Sequence, residues 1–195
     1  MPKALNVIKD EHRSLGAIMH GFLFLVDEIR AGRMQPDFKL LNAMLYYLEN
    51  FPEKLHHPKE NEFLHRYLRL RSPEANALLE VVEEEHRHSH AQSQVMIEAL
   101  RNYEQNGDAA RDAFLDAVKS YAEFQWRHIE REEDLILPLA VKVLQPEDWA
   151  AIDEAFSAHQ DPFTSYEHIK EFRQLFREIV RLAPPPIGVG PANTG

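Results

Sequence analysis

Phe124-Gln125-Trp126-Arg127-His128-Ile129-Glu130-Arg131-Glu132-Glu133-Asp134-Leu135 is the stretch whose reading decides the fold of this chain. Taken as a helix, it carries a seam through Phe114, Val118, Tyr121, Gln125, His128, Glu132, Leu135 and Leu139. Steps of four and three alternate along it, which keeps one face turned toward partner helices. Two seam positions are not apolar. His128 and Glu132 lie about 40° apart around the helix and project together from successive turns. A buried carboxylate is costly unless a positive charge pairs with it, and a metal ion is the strongest such charge.

The same unit occurs earlier. His56-His57-Pro58-Lys59-Glu60 again sets a His and a Glu four apart, and its seam continues through Phe63, Tyr67 and Leu70. A lone core histidine precedes each unit, His12 before the first and His86 before the second, at similar intervals. The chain therefore reads as two copies of one helix pair, each supplying one His and one His-x3-Glu. Two such hairpins closing on each other make an all-α, up-down four-helix bundle, whose interior is where bundles build metal sites.

Composition narrows the class. A chain of 195 residues with 44% apolar and 28% charged residues is long enough for one well-buried domain. A net charge of −10 leaves no basic stripe for nucleic acid and no attraction to an anionic membrane. The absence of cysteine excludes disulfides and thiolate ligands. No apolar run reaches the length of a membrane span and residues 1–15 lack signal-peptide features, so a cytoplasmic protein is expected.

In order, the first helix is expected from Leu5 to Ala31, with Leu5, Ile8, His12, Leu15, Met19, Phe22, Val26 and Ile29 inward and Gly32 as the stop. The second runs from Asp37 toward Arg71, distorted at Pro52 and Pro58 around His56. Ser72-Pro73-Glu74 reads as an N-cap and helix start. The third helix then runs to Gln105 with Leu79, Val82, His86, His90 and Ser93 inward. The fourth runs from Ala109 to Leu137, where Pro138 bends or ends it. These four helices make up a bundle domain over 1–144. Residues 145–183 are expected to add two helices, 145–158 and 161–182, packed on the bundle or at a homodimer interface. Residues 184–195 read as a disordered tail.

Eleven histidines is a high count. His20, His65, His88, His159 and His168 read as surface or half-buried residues. His12, His56, His86 and His128 differ in that each interrupts an apolar seam. Imidazole and carboxylate without sulfur suit iron, manganese or zinc. Two carboxylates facing each other across a two-fold favour a dinuclear site.

At these residues the chain resembles the hemerythrin family in its HHE cation-binding form. The pattern is His12, His56-x3-Glu60, His86 and His128-x3-Glu132 on four successive helices, with Glu11-His12-Arg13, His57-Pro58-Lys59-Glu60 and Pro138-Leu139 as flanking likenesses, over about residues 5–140. The resemblance implies two iron ions bridged by the two carboxylates and an oxo or hydroxo group, with dioxygen or a related small ligand such as nitric oxide or peroxide as partner. Oxygen-carrying members place a His-x3-His on the third helix, which here adds His90 to the ligand set, whereas many bacterial members keep only four histidines. His57 faces about 100° away from His56 and reads as a supporting or exposed residue. Glu133 is the rival of Glu132, and the unbroken seam favours Glu132.

The expected function is thus ligand binding at a di-iron centre, for sensing, storage or stress response. The alternative is an enzyme acting on peroxide or nitric oxide or repairing iron–sulfur clusters, the last disfavoured by the lack of cysteine. A proton-donating Tyr or a protonatable Glu within reach of the bound ligand would favour turnover, and Tyr67 and Tyr121 sit on seams near the site.

Overall fold

Four long helical stretches and one short helix make up the computed structural model, which describes residues 2–158 and 181. Helix α1 (Lys3–Arg30) forms the first stretch. The second is built of α2 (Phe38–Asn50), a π-helical turn (Pro52–His56), α3 (His57–Lys59), a second π turn (Glu60–His65) and α4 (Arg66–Arg71). A 3-10 turn (Pro73–Ala75) leads into α5 (Asn76–Asn106). The fourth stretch joins α6 (Asp108–Arg131), a third π turn (Glu132–Ile136) and α7 (Leu137–Val143). Helix α8 (Pro146–Ala158) follows. The architecture is an all-α hemerythrin-like bundle, as the sequence predicts. Among the described residues no helix is long and apolar enough to cross a membrane.

Local chemistry sets most boundaries. Asp37 caps α2 by accepting the Leu40 N–H at 3.1 Å. Gly107, at φ 61°, makes the one-residue turn that folds α6 back along α5, a conformation that disfavours any side chain. Ser72 departs from its expected role, because its side chain bonds no helix N–H and the 3-10 turn intervenes before α5.

The three π turns fall at the two His-x3-Glu units. Pro52 has no N–H to give the helix ladder. Just beyond it, the Leu55 and His56 N–H groups share the Phe51 carbonyl at 3.0 and 3.1 Å. A π turn inserts one residue into the helical register. Past Glu60 the buried residues are accordingly Leu64 and Leu68, not the expected Phe63, Tyr67 and Leu70, and Leu70 is 68% exposed. Past Glu132 they are Ile136, Leu137 and Ala140, while Leu135, expected on the seam, is 49% exposed.

The interior is divided along the bundle axis. One apolar cluster joins Leu15 to Ile29, Leu40 to Phe51, Met96 to Tyr103 and Phe114 to Ala122. A second joins Ala4 to Ile8, Leu64 and Leu68, Ala75 to Val82 and Ile136 to Leu144. Helix α8 closes the second cluster with Trp149, Ile152 and Phe156, and its Asp153 accepts the Ala4 N–H at 2.7 Å. Burying Ile152 and Phe156 contributes about 1.5–3 kcal/mol each. The helix expected over 161–182, Arg181 apart, and the tail at 184–195 lie outside the described residues.

Candidate metal centre

Between the two apolar clusters every long helical stretch turns polar at the same height. From α1 come Glu11 and His12. From the second stretch come Glu53, His56, His57 and Glu60. Helix α5 gives His86 and Ser89, and the fourth stretch gives Gln125, His128 and Glu132; all are buried. Potential ligand atoms of His12, His56, Glu60 and Glu132 lie within 4.8 Å of one another, and so do those of His57, His86 and His128.

The two carboxylates stand between these groups. Glu132 Oε2 lies 3.2 Å from His12 Nε2 and 3.4 Å from His128 Nε2, while its Oε1 lies 3.3 Å from His86 Nε2. Glu60 Oε2 lies 3.5 Å from His56 Nε2 and 3.6 Å from His86 Nε2. Each carboxylate therefore faces histidines of both groups.

On the outer side of each ring an oxygen faces Nδ1. His12 meets Glu133 at 3.0 Å, His56 meets Glu11 at 2.7 Å, His86 meets Asn61 at 2.9 Å and His128 meets Glu85 at 3.2 Å. His57 Nδ1 lies 3.5 Å from Glu53 Oε2, an ion-pair distance without a hydrogen bond. An oxygen acceptor there keeps the proton on Nδ1 and leaves an Nε2 lone pair pointing inward. His57 Nδ1 and Nε2, His128 Nε2 and both Glu60 oxygens are buried without a hydrogen-bond partner. Such a donor set fits cations and little else.

Titration follows the same logic. Burial depresses His12, but the Glu132 and Glu133 carboxylates outweigh it and raise its pKa to about 9. Burial pulls His56 and His86 well below the usual histidine value, His56 helped by the charge of His12 and His86 by that of His57. Burial pushes Glu60 well above the ordinary carboxylate range, and the neighbouring Glu132 adds to the effect. Glu132 is equally buried, yet the surrounding His128, His12 and His86 hold it low. The two carboxylates resist sharing their negative charge, and protons partly substitute for the cations the cluster is shaped to take.

Six of the seven residues expected from the sequence meet in this cluster; His90 does not. Its side chain is exposed, and the buried position on that face of α5 is Ser89, one residue earlier. The fifth imidazole is His57, 3% exposed, on the opposite helical stretch. The π turns on both sides of α3 rotate consecutive residues inward, so His56 and His57 both reach the centre. Glu133 stays outside, bonded to His12. His65, expected near the surface, is completely buried with its ring parallel to that of His86, while His20 and His88 are exposed. His159 and His168 lie outside the described residues.

The outer oxygens of Glu11, Glu53, Asn61 and Glu85 were not anticipated. One had a signal: Glu53-x3-His57 is a third Glu–His pair at helical spacing, in reverse order. An open groove of about 860 Å³ between α1 and α6 ends against His12 and Glu133, with Gly16, His20, Trp126 and Ile129 among its walls. A Cβ on Gly16 would approach Trp126 to 3.2 Å, so the glycine lets the indole lie flat against α1.

No curated protein and no solved structure matches the chain. The model of the hemerythrin HHE cation-binding domain matches residues 3–140, a span that takes in all four helical stretches supplying the cluster. With that match and a buried His/Glu cluster built for cations, the chain belongs to the hemerythrin HHE cation-binding family as a metal-binding member.

Proposed function

We propose that the protein holds two iron ions and binds dioxygen, or a related small ligand such as nitric oxide or peroxide, for sensing, storage or stress response. The observation that carries this reading is the convergence of four inward Nε2 atoms on two carboxylates that each face both groups of histidines, with His57 in the same cluster. His12 and His56 would hold one ion and His57, His86 and His128 the other, with the Glu60 and Glu132 carboxylates available to both. Nitrogen and oxygen donors without sulfur suit iron and manganese as well as zinc. Three imidazoles and two carboxylates on one ion exceed the four ligands of a closed zinc site, which favours iron or manganese. When bound, a pair of irons supplies the redox steps needed to take up dioxygen or to act on peroxide and nitric oxide.

The chain's own residues set what can happen there. Four outer oxygens hydrogen-bond the rings and fix their orientations, and two apolar clusters keep bulk water from both ends of the polar layer. The groove beside His12 offers a small ligand a path between α1 and α6. Tyr121 does not present a free proton donor, since its hydroxyl donates to Glu53 at 3.1 Å and accepts from Gln125 at 2.8 Å. Tyr67 packs half-buried against the second apolar cluster. The two tyrosines expected to serve turnover are thus both engaged elsewhere, which favours ligand binding.

Metal analysis of protein expressed with ample iron tests the reading. About two irons per chain, and a visible adduct with dioxygen that reverses under vacuum, are expected. One zinc and no iron would overturn the di-iron assignment. Catalytic consumption of peroxide with no resolvable adduct would move the function to an enzyme.

A further inference from the structure

The two halves of the centre are not alike, and the difference is written beside His57. Taking His56 and Glu60 as the counterparts of His128 and Glu132, the same interval carries Glu53 onto Gln125 and His57 onto Ile129. His12 and His86, matched likewise, carry Leu15 onto Ser89. One half thus has an apolar Leu15 and Ile129, both in the first apolar cluster. The other has His57, Glu53 and Ser89, all buried.

These polar residues form one connected network. Ser89 Oγ and the Tyr121 hydroxyl both donate to Glu53 Oε1, the latter at 3.1 Å. Gln125 Nε2 donates to Ser89 Oγ at 2.6 Å and to the Tyr121 hydroxyl at 2.8 Å. With Oε1 occupied by two donors, Oε2 is left facing His57 Nδ1 at 3.5 Å. Glu53 and His57 are four residues apart on the distorted helix, so the carboxylate sits directly behind the ring. Glu53, Ser89, Tyr121 and Gln125 all lie outside the two groups of ligand atoms. Their arrangement has one evident output, the direction in which His57 points.

We propose that Glu53, clamped by Ser89, Tyr121 and Gln125, is a positioning residue that makes His57 the third imidazole of one metal ion and thereby makes the two ions unequal. This rests on the dinuclear reading above. From 3.5 Å the carboxylate attracts the Nδ1 proton, and closing to a hydrogen bond on metal binding it would aim Nε2 at the centre, a role that outer partners of metal-bound histidines commonly fill. The apolar counterparts Ile129 and Leu15 supply nothing equivalent to the other ion.

Cobalt(II) titration of the full-length, metal-free protein provides the test, followed by optical spectra and by proton NMR of the paramagnetically shifted ring N–H signals. Wild type should take up two cobalt ions and show five such signals. Glu53→Ala should weaken one ion by about 10–100-fold, leave the other unchanged and lose one N–H signal, as should His57→Ala. The double variant should be no worse than His57→Ala, because both changes remove the same ligand. Glu53→Gln should recover most of the loss, since an amide oxygen already serves His86 through Asn61. Equal weakening of both ions, additive losses in the double variant, or a Gln variant no better than Ala would make Glu53 a merely structural residue and overturn the proposal. Wild type binding a single cobalt would overturn the dinuclear reading and this inference with it; two ions with Glu53→Ala unchanged would overturn this inference alone.

Discussion

The ring of His57 stacks on that of His86 with centroids 4.2 Å apart and planes within 10°, although the two residues come from different helical stretches. His128 meets the same ring edge-on at 5.3 Å. A histidine that packs this way between two others belongs with them, whereas the exposed His90 does not. His57→Ala is therefore expected to hold one of its two metal ions less tightly and to be purified with less than a full complement, and His90→Ala is expected to keep both. Elemental analysis of the two purified variants checks this; a deficit confined to His90→Ala would return the fifth ligand to α5.

Metal loading should release protons. The pKa of His12 stands at about 9 in the metal-free protein, above the ordinary 6.5, so the ring carries a proton at pH 7. A group raised on folding stabilises the native state fully below its unfolded value and loses that contribution as pH climbs through the folded one. Metal-free protein should thus lose stability between about pH 6.5 and 9, while metal affinity rises across the same window as the proton competes less well. Titration calorimetry in buffers of different ionisation enthalpy should report about one proton or more released per chain at pH 7. No release would show that His12 is already neutral.

The π turns make a prediction about neighbours. Ile136 is fully buried and Leu135 is 49% exposed, the reverse of what an unbroken helix gives. Ile136→Ala should cost about 2–5 kcal/mol, and Leu135→Ala no more than about 0.5 kcal/mol. Chemical denaturation of both variants measures the difference, and the opposite ranking would mean that the helix keeps a regular register past Glu132.

Those same turns explain what could and could not be read in advance. Upstream of each unit the seam held: Leu5, Ile8, His12 and Leu15 in α1, and Phe114, Val118, Tyr121, Gln125 and His128 in α6, are all buried as their spacing requires. His12, His56, Glu60, His86, His128 and Glu132 stood out because each is a polar residue on an apolar stripe. Beyond Glu60 and Glu132 the reading slipped by one residue, since periodicity assumes an unbroken hydrogen-bond ladder. His57 was misread for the same reason: on a regular helix it faces 100° away from His56, and only flanking π turns bring both inward. His90 was misread because a step of four and a step of three both fit α5, and the choice of Ser89 depends on Glu53 and Gln125 from other helices. The outer oxygens are tertiary partners with no periodicity of their own.

Helix α8 belongs to the folded unit. Phe156 is fully buried in the second apolar cluster and also lies under the Lys59 ammonium, 5.3 Å from the ring centroid. Phe156→Ala should cost about 3–5 kcal/mol without lowering the number of metal ions bound. Thermal unfolding and metal analysis of the variant check both parts; loss of metal with unchanged stability would instead assign α8 a direct role at the centre.

The polar layer also determines how this molecule can be altered. Because the apolar clusters on its two sides share no residue, they act as separate reservoirs of stability joined through a belt of charges. Substitutions around Phe22 and Phe114 at one end, and around Trp149 and Ile152 at the other, fall far enough apart for their effects to add. The protein can therefore be hardened or softened from either end while the spacing of its histidines and carboxylates is left as it is. Metal held by the cluster would draw on all four helical stretches at once, and so would tie the two ends together more tightly than the helices alone.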